Sequence, residues 1–273
     1  MIFSTDDDLN LEKIATSGQC FRWEKITGGY RILHDKYALI IKEKSEGKFE
    51  ILADHDEFNA IWKEYLDLDE NYAEIRKRID ANDKFLLAAA ESEKGIRILR
   101  QDPFETLISF IISQNKNIPA IEKSVFLLTR YCGGEKRDAL GEVYYPFPTP
   151  EKIANLDDKI LTDCKLGYRV PYVKRAAQDY CEGKINFDKL KKMSSDNAIK
   201  ELQKLYGVGL KVASCISLFG LHHLNAFPKD VWVKRILEEF YKDGYPYEKY
   251  SPYNGVYQQY AFAYYRKLAT KMN

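Results

Sequence analysis

The hydrophobic period changes once along this chain, and that change constrains the fold more than any other feature. Between about residues 29 and 53, apolar and polar residues alternate in the segments YRIL, YALIIK and KFEILA, separated by the turn-like HDK and KSEG. From about Asp56 onward, segments such as FNAIWKEYLDL and AEIRKRIDA follow a helical period, and no strand pattern returns. The sequence therefore predicts an α+β protein. An antiparallel β-sheet domain is expected over residues 1–97, followed by a mostly α-helical domain over residues 98–273.

Length and composition are those of a soluble protein. A chain of 273 residues, 45% hydrophobic and 30% charged, is long enough to bury two compact cores. No apolar run approaches the roughly 20 residues that cross a bilayer, and the acidic start MIFSTDDDLN is unlike a targeting peptide. We therefore expect a cytoplasmic protein with no membrane partner.

Cysteine usage and net charge exclude further classes. Five scattered cysteines without a C-x-x-C pair argue against a disulfide framework and against a zinc or iron–sulfur site. No cofactor is expected, since the mechanism that the sequence suggests below needs neither a redox group nor a catalytic metal. A formal net charge of +1 gives no global attraction to nucleic acid. Any DNA binding must come from local lysines, backbone amides and helix N-termini.

Helix start and stop signals divide the second part of the chain. Asp102 is expected as an N-cap before Pro103, with Glu105 as its reciprocal capping-box partner. The segment NIP at 117–119 should start the next helix, and CGG at 132–134 should end it.

The segment LYGVGLKVASCIS, residues 205–217, combines a glycine-hinged turn with a lysine. Gly207 and Gly209 allow a tight turn that exposes backbone N–H groups, and a helix starting near Leu210 adds its own unpaired amides. This geometry suits a phosphate oxygen. An ordinary turn between two helices would have the same glycines.

Lys211 lies in the first turn of that helix, where a cation opposes the helix dipole. Part of the lysine is then expected as free amine, which can attack a sugar carbon and form a Schiff base. A solvated surface lysine is the alternative. Asp230 follows 19 residues later, where it is expected to cap a helix and could also act electrostatically or accept a proton near Lys211.

Together, LYGVGLKVASCISLFGL and the downstream NAFPKDVWVKRI resemble the helix-hairpin-helix and Gly/Pro-rich loop with aspartate (HhH-GPD) of the DNA glycosylase superfamily. The resemblance implies that Gly207 and Gly209 hold the DNA backbone. It makes Lys211 the nucleophile of a bifunctional enzyme and Asp230 its electrostatic partner and proton carrier. It also implies a structural monovalent cation at three hairpin carbonyls, those of Gln203, Leu205 and Val208.

Four more segments resemble one branch, the 8-oxoguanine DNA glycosylase/lyases: SGQCFRW at 17–23, QDPFETLISFIISQNKNI at 101–118, KLGYRVPYV at 165–173 and GVYQQYAFAYY at 255–265. The resemblance thus runs from about residue 9 to 265.

The base pocket that this resemblance implies has four members. The Gly18 carbonyl would accept the N7 hydrogen of oxidised guanine, and Cys215 would lie against the lesion. Gln258 would read its Watson–Crick edge and Phe262 would stack on its face. Gln258 and Phe262 are four residues apart and share a helix face, as a flipped-base pocket requires.

The same resemblance assigns three residues to the gap left in the duplex. Asn115 would fill the gap, Tyr168 would wedge into the stack, and Arg169 would lie near the opposite base. Singly, each assignment has a plain alternative, because Gly18 could be a turn, Arg169 a surface charge and Phe262 ordinary core. The agreement of five segments in order favours the enzyme.

Two positions depart from the animal-type branch. Ala120 stands where those members carry a second arginine that reads the opposite cytosine, so a relaxed opposite-base preference is expected. Trp232 stands where they place a histidine near phosphate. Tryptophan donates one hydrogen bond and carries no charge.

The resemblance as a whole implies a monomeric DNA N-glycosylase and AP lyase with a lesion cleft between two helical subdomains. It would excise 8-oxoguanine from duplex DNA through a lysine Schiff base and nick the abasic strand by β-elimination. In a prokaryote it would lie at the nucleoid. An alkylated-base DNA glycosylase is the nearest alternative, against which Lys211 argues, and a non-catalytic helix-hairpin-helix DNA-binding module is another.

Overall fold

The computed structural model describes residues 1–272. Its N-terminal part contains a five-stranded antiparallel sheet in the order β1-β5-β4-β3-β2. The predicted meander is confirmed, with Ile32 opposite Leu39 and Ile41 opposite Ile51. The strands are β1 (Ile2–Ser4), β2 (Trp23–Ile26), β3 (Gly29–His34), β4 (Tyr37–Ser45) and β5 (Lys48–Ile51).

The sheet buries one face against helices of the same part of the chain. Ile32, Leu39 and Ile41 alternate along their strands and are fully buried, as the period of two requires. They pack with α1 (Leu11–Thr16) and with a helical segment whose Trp62 is also fully buried. That segment consists of α2 (His55–Glu57), a π-helical turn (Phe58–Trp62) and α3 (Lys63–Tyr65).

The remainder is mostly helical, as predicted, and packs around a second and larger core. Buried apolar residues from Tyr72 to Ile96 belong to this second core, although the sequence analysis assigns residues 1–97 to the first domain. The helices are α4 (Tyr72–Lys77), α5 (Lys84–Ser92), α6 (Pro103–Ile112), α7 (Ile118–Cys132), α8 (Pro150–Ala154), α9 (Asp158–Asp163), α10 (Val170–Cys181), α11 (Phe187–Lys191), α12 (Ser195–Leu202), α13 (Leu210–Phe219), α14 (Val231–Phe240), α15 (Tyr247–Tyr250) and α16 (Asn254–Met272).

One small hairpin interrupts the helical part. The strands β6 (Lys136–Arg137) and β7 (Val143–Tyr144) pair antiparallel, so the expectation that no strand follows Asp56 is wrong here. Two residue pairs are too short to leave a period in the sequence. Within residues 1–272, no helix combines the length and the apolar character needed to span a bilayer.

The helix punctuation is confirmed with one exception. Asp102 caps α6 by accepting the Glu105 N–H at 2.7 Å, Asn117 caps α7, and α7 ends at Cys132. The prediction that the Glu105 carboxylate accepts the backbone N–H of Asp102 in return is wrong. The carboxylate instead accepts from the Arg22 guanidinium at 2.7 Å, which ties α6 to the N-terminal part of the chain.

Candidate active site

The turn between α12 and α13 contains two glycines, of which only Gly207 is in a place that excludes a larger residue. Gly207 has a φ of +80°, and a Cβ there would lie 2.3 Å from Cγ of the Tyr172 ring. Its carbonyl accepts from Gln114 Nε2 at 3.1 Å, which joins the hairpin to the loop after α6. Gly209 has a φ of −86°, and a Cβ there would meet nothing within 4 Å. Gly207 is therefore fixed by the fold, whereas Gly209 borders open space.

The N-terminus of α13 has no side-chain cap. Gly209 occupies the N-cap position, and the Ala213 N–H is the first to bond back, to the Gly209 carbonyl at 2.9 Å. The N–H groups of Leu210, Lys211 and Val212 consequently have no partner within their helix. Gly209 and Leu210 are exposed. This end of α13 is an accessible group of hydrogen-bond donors with the positive end of the helix dipole behind it.

Lys211 points its amine across an aromatic surface. The side chain is half-buried, and Nζ lies 5.3 Å from the centroid of the Phe110 ring. Asp230 caps α14 by accepting the Val233 N–H at 2.8 Å, as expected of an N-cap. Within residues 1–270 Lys211 and Asp230 form no ion pair, so the amine is not fixed by a carboxylate.

Cys215 lies one turn after Lys211 and is 3% exposed. Burial raises the pKa of its thiol, the Lys211 charge partly offsets that rise, and Asp230 adds to it. The thiol is therefore protonated at neutral pH.

The N-terminal loop packs against α16 at Gly18. Gly18 has a φ of +78°, and a Cβ there would lie 3.3 Å from Ile118 Cδ1, 3.7 Å from Phe262 Cε1 and 4.0 Å from Arg266 Nη1. We call these four residues the Gly18 pocket, after the base-binding role that the resemblance implies for Gly18 and Phe262. A side chain at position 18 would contact the other three residues, and the backbone conformation of Gly18 favours glycine.

The backbone on both sides of Gly18 is held by buried amides. The Ser17 carbonyl accepts from Gln259 Nε2 at 2.6 Å. The Gln19 side chain donates to the Arg97 carbonyl at 2.8 Å and accepts the Leu99 N–H at 2.9 Å. The Gly18 peptide is thus positioned before any ligand arrives.

Gln258 is on α16, one turn before Phe262. Its side chain is 5% exposed, and Oε1 has no hydrogen-bond partner among the described residues. A buried polar atom without a partner costs about 1–3 kcal/mol and calls for an explanation. A ligand that donates to Oε1 would supply one.

The residues expected in the duplex gap are brought together. Asn115 is exposed, has a φ of +49° and donates from Nδ2 to the Tyr168 hydroxyl at 2.9 Å. Tyr168 is 51% exposed, whereas Arg169 is 5% exposed. Arg169 donates to the backbone carbonyls of Leu166 and Gln114 and lies 4.3 Å from the Tyr168 ring centroid. In this conformation Arg169 holds the loop and is not directed at an opposite base.

Two further expectations stay predictions. Trp232 is half-buried in the first turn of α14, with the Arg235 guanidinium 5.2 Å from its ring centroid. No contact shows whether it meets phosphate. Of the three carbonyls proposed for a monovalent cation, that of Leu205 already accepts the Val208 N–H at 3.1 Å, whereas the backbone bonds described give those of Gln203 and Val208 no donor. Carbonyl oxygens suit a hard cation.

Sequence reasoning missed three residues of the Gly18 pocket and its support, namely Ile118, Gln259 and Arg266. For Arg266 the signal was present, because Gln258, Phe262 and Arg266 follow at intervals of four and share one helix face. Gln259 points away from that face, and no pattern links it to Ser17.

Comparison with known proteins bears on this arrangement. Residues 1–107 match the family model of the 8-oxoguanine DNA glycosylase N-terminal domain. Residues 108–248, more than half of the chain, match the model of HhH-GPD superfamily base excision DNA repair proteins. The chain belongs to the HhH-GPD superfamily.

Individual members of the superfamily are similar over different shares of their length. A probable N-glycosylase/DNA lyase of Methanothermobacter thermautotrophicus is 32% identical over 58% of this chain and 57% of its own length. The N-glycosylase/DNA lyase of Saccharomyces cerevisiae is 30% identical over 86% of this chain and 69% of its own. The Clostridium acetobutylicum 8-oxoguanine glycosylase/lyase, solved with duplex DNA bearing cytosine opposite the lesion, superposes with a TM-score of 0.90. It is 34% identical, and the match covers 98% of each chain.

Proposed function

We propose that this chain is a bifunctional DNA repair glycosylase that excises 8-oxoguanine from duplex DNA and then nicks the abasic strand. One observation carries the proposal: the Phe110 ring centroid lies 5.3 Å from Lys211 Nζ and 5.5 Å from the ring centroid of Phe21, three residues after Gly18. The nucleophilic amine and the proposed base site are therefore close to each other. DNA is its partner and determines its place of action, which in a prokaryotic cell is the nucleoid.

The hairpin supplies the first step, the binding of the damaged strand. The free N–H groups at the start of α13 would bind a phosphate oxygen. Lys200, Lys229 and Lys234 are exposed around a surface cleft of about 740 Å³ that Lys211 also lines. Local positive charge thus compensates for the near-zero net charge of the chain.

Base extrusion follows, with Asn115 and Tyr168 entering the space that the flipped nucleotide leaves. Unstacking costs a few kcal/mol, which contacts inside the pocket must outweigh. The Gly18 carbonyl accepts the N7 hydrogen that distinguishes 8-oxoguanine from guanine. Gln258 contributes its unpartnered oxygen to the Watson–Crick edge, and Phe262 stacks on the ring.

Chemistry begins when the neutral Lys211 amine attacks C1′ of the deoxyribose. The base departs with the electrons of the glycosidic bond, and the aminosugar opens to an imine. Asp230 stabilises the positive charge that develops at the sugar and accepts or returns protons. The imine acidifies the C2′ hydrogens, so that β-elimination breaks the strand on the 3′ side.

The test is borohydride trapping on a duplex with one 8-oxoguanine opposite cytosine. We expect a covalent protein–DNA adduct that requires the lesion and disappears in Lys211→Gln. Lys48→Gln is the matched control, because this exposed lysine of β5 lies outside the cleft and has no proposed role, and it should form the adduct normally. Duplex binding without any adduct would favour an alkylated-base enzyme or a non-catalytic DNA-binding module.

The finer proposal is a relaxed choice of opposite base. Ala120 offers no charge, and Arg169 is occupied by two backbone carbonyls. Single-turnover excision opposite cytosine and opposite adenine measures the preference directly. A preference for cytosine of about 100-fold, close to 3 kcal/mol, would contradict the proposal.

A further inference from the structure

Arg266 brings a guanidinium next to Gly18 and Phe262. Its Nη1 is 4.0 Å from the position that a Gly18 Cβ would take, and its Cζ is 5.2 Å from the Phe262 ring centroid. The side chain is half-buried. The lesion is proposed to lie against these same two residues, so the arginine is close enough to contact it.

Among the side chains that the structure describes, the guanidinium has no anionic partner of its own. Within residues 1–270, Arg266 forms no ion pair and no side-chain hydrogen bond. Arg22, Arg31, Arg97 and Arg100, by contrast, each bond a carboxylate at 3.1 Å or less. Burial lowers the pKa of Arg266, and the nearby Asp230 charge partly offsets that effect. Arginine nevertheless remains a cation in proteins. The Gly18 pocket therefore contains a half-buried positive charge with unused donors.

The proposed reaction creates a negative charge at this place. The lone pair of the neutral Lys211 amine forms the new bond to C1′ while the C1′–N9 bond breaks, and its electron pair leaves with the base. The base is then an anion, and the new C1′–N group is a protonated secondary amine. Loss of one proton from that amine and gain of one by the base complete the exchange without an oxidant or reductant.

We propose that Arg266 is a catalytic residue that stabilises the negative charge on the departing base as the glycosidic bond breaks. This inference rests on the proposed function and concerns its first chemical step only. A positioned cation in a water-poor pocket stabilises developing charge more strongly than it does in water. The β-elimination step releases no base, so it does not need this arginine.

The test separates the two steps in single-turnover experiments. Base release is measured on a duplex with 8-oxoguanine opposite cytosine, and nicking is measured on a duplex with a preformed abasic site. For Arg266→Gln we expect base release to slow by about 100-fold, the lower range for loss of one charge-stabilising donor. Nicking should stay within about threefold of the wild type. Arg266→Lys should recover part of base release, because the charge is kept and the fork of donors is lost.

Arg78→Gln is the matched control. Arg78 is exposed, and its guanidinium lies 5.0 Å from the Tyr253 ring centroid, so the change removes the same charge from a similar stacked arrangement outside the pocket. It should leave both steps unchanged. A second readout uses 8-oxohypoxanthine, whose anion is more stable. With this substrate, Arg266→Gln should slow base release by a smaller factor, because a better leaving group depends less on stabilisation of its negative charge.

Each other result overturns the inference. Unchanged base release in Arg266→Gln would show that the arginine does not contribute to this step. Faster base release would show that it slows the step. Equal losses in base release and in abasic nicking would make it a structural residue, as would an unchanged loss on 8-oxohypoxanthine. A wild-type protein that nicks abasic DNA but releases no 8-oxoguanine would refute the proposed function itself, and is distinguished by that control reaction.

Discussion

Alanine substitutions at the two hairpin glycines should separate folding from DNA binding. At Gly207 the alanine must adopt a φ near +80°, which costs about 1–2 kcal/mol for an L-residue. Its Cβ would also lie 2.3 Å from the Tyr172 ring, so the ring or the turn must move. Overpacking of this kind costs about 1–3 kcal/mol. The sum is a loss of about 2–5 kcal/mol in the free energy of unfolding.

Gly209→Ala should behave in the opposite way. Its φ of −86° is open to every residue, and the new methyl group meets nothing within 4 Å. Alanine is a poorer N-cap than glycine, so a loss of up to about 1 kcal/mol is expected. The methyl group would, however, stand beside the free N–H groups of α13, where the phosphate is proposed to bind. We expect DNA affinity to fall by about tenfold, or 1.4 kcal/mol.

Thermal unfolding and duplex binding measure the two effects. For a chain of this size, about 2–5 kcal/mol lowers Tm by on the order of 10 °C, so Gly207→Ala should show a clear decrease. Gly209→Ala should stay within about 3 °C of the wild type. Binding is measured well below both transitions, with the Lys211→Gln background to prevent turnover. Equal destabilisation by Gly209→Ala and Gly207→Ala would contradict this reasoning, which places the Tyr172 ring against a Cβ at position 207 and nothing against one at position 209.

Three further predictions concern other parts of the molecule. Burial lowers the pKa of His34 to about 4 from its usual 6.5. Between these pH values the unfolded chain binds more protons than the folded one, so the free energy of unfolding falls as the pH falls. Urea unfolding at pH 7 and at pH 4.5 should therefore show a smaller decrease in the free energy of unfolding for His34→Phe than for the wild type. Gln258→Ala should leave Tm unchanged or higher, because an unpartnered buried oxygen is removed, while 8-oxoguanine excision falls by at least about tenfold. Ala120→Arg should raise the ratio of excision opposite cytosine to excision opposite adenine, and an unchanged ratio would show that position 120 does not reach the opposite base.

The fold was predictable because its signals are local. A period of two produced the meander, and N-caps such as Asp102 marked helix starts within a few residues. Glu105 shows where local reasoning ends. Its spacing from Asp102 fits a capping box, but Arg22, 83 positions away, binds its carboxylate instead. A guanidinium that is itself buried has more to gain from a carboxylate than a backbone N–H does.

The sequence predicts which residues make up the candidate site, but not which contacts they make. Motif order identified Lys211 and Asp230, but it could not show that they form no ion pair. The resemblance placed Arg169 near the opposite base, whereas in the structure it holds backbone carbonyls and is 5% exposed. Arg266 lay on the same helix face as Gln258 and was overlooked, because an arginine near the end of a helix is usually a surface charge.

The arrangement of the site divides the two proposed activities between different parts of the chain. The amine, the hairpin donors and the aspartate all come from residues 207–230, so the machinery for nicking is local in sequence. Lesion recognition joins Gly18 to α16, almost the full length of the chain apart, and the Gln259 bond to the Ser17 carbonyl holds them together. Disturbance of the packing between the N-terminal loop and α16 should therefore displace the Gly18 carbonyl more than Lys211, which is carried by α13. Selectivity for the oxidised base should consequently be lost under milder destabilisation than the ability to cleave an abasic site.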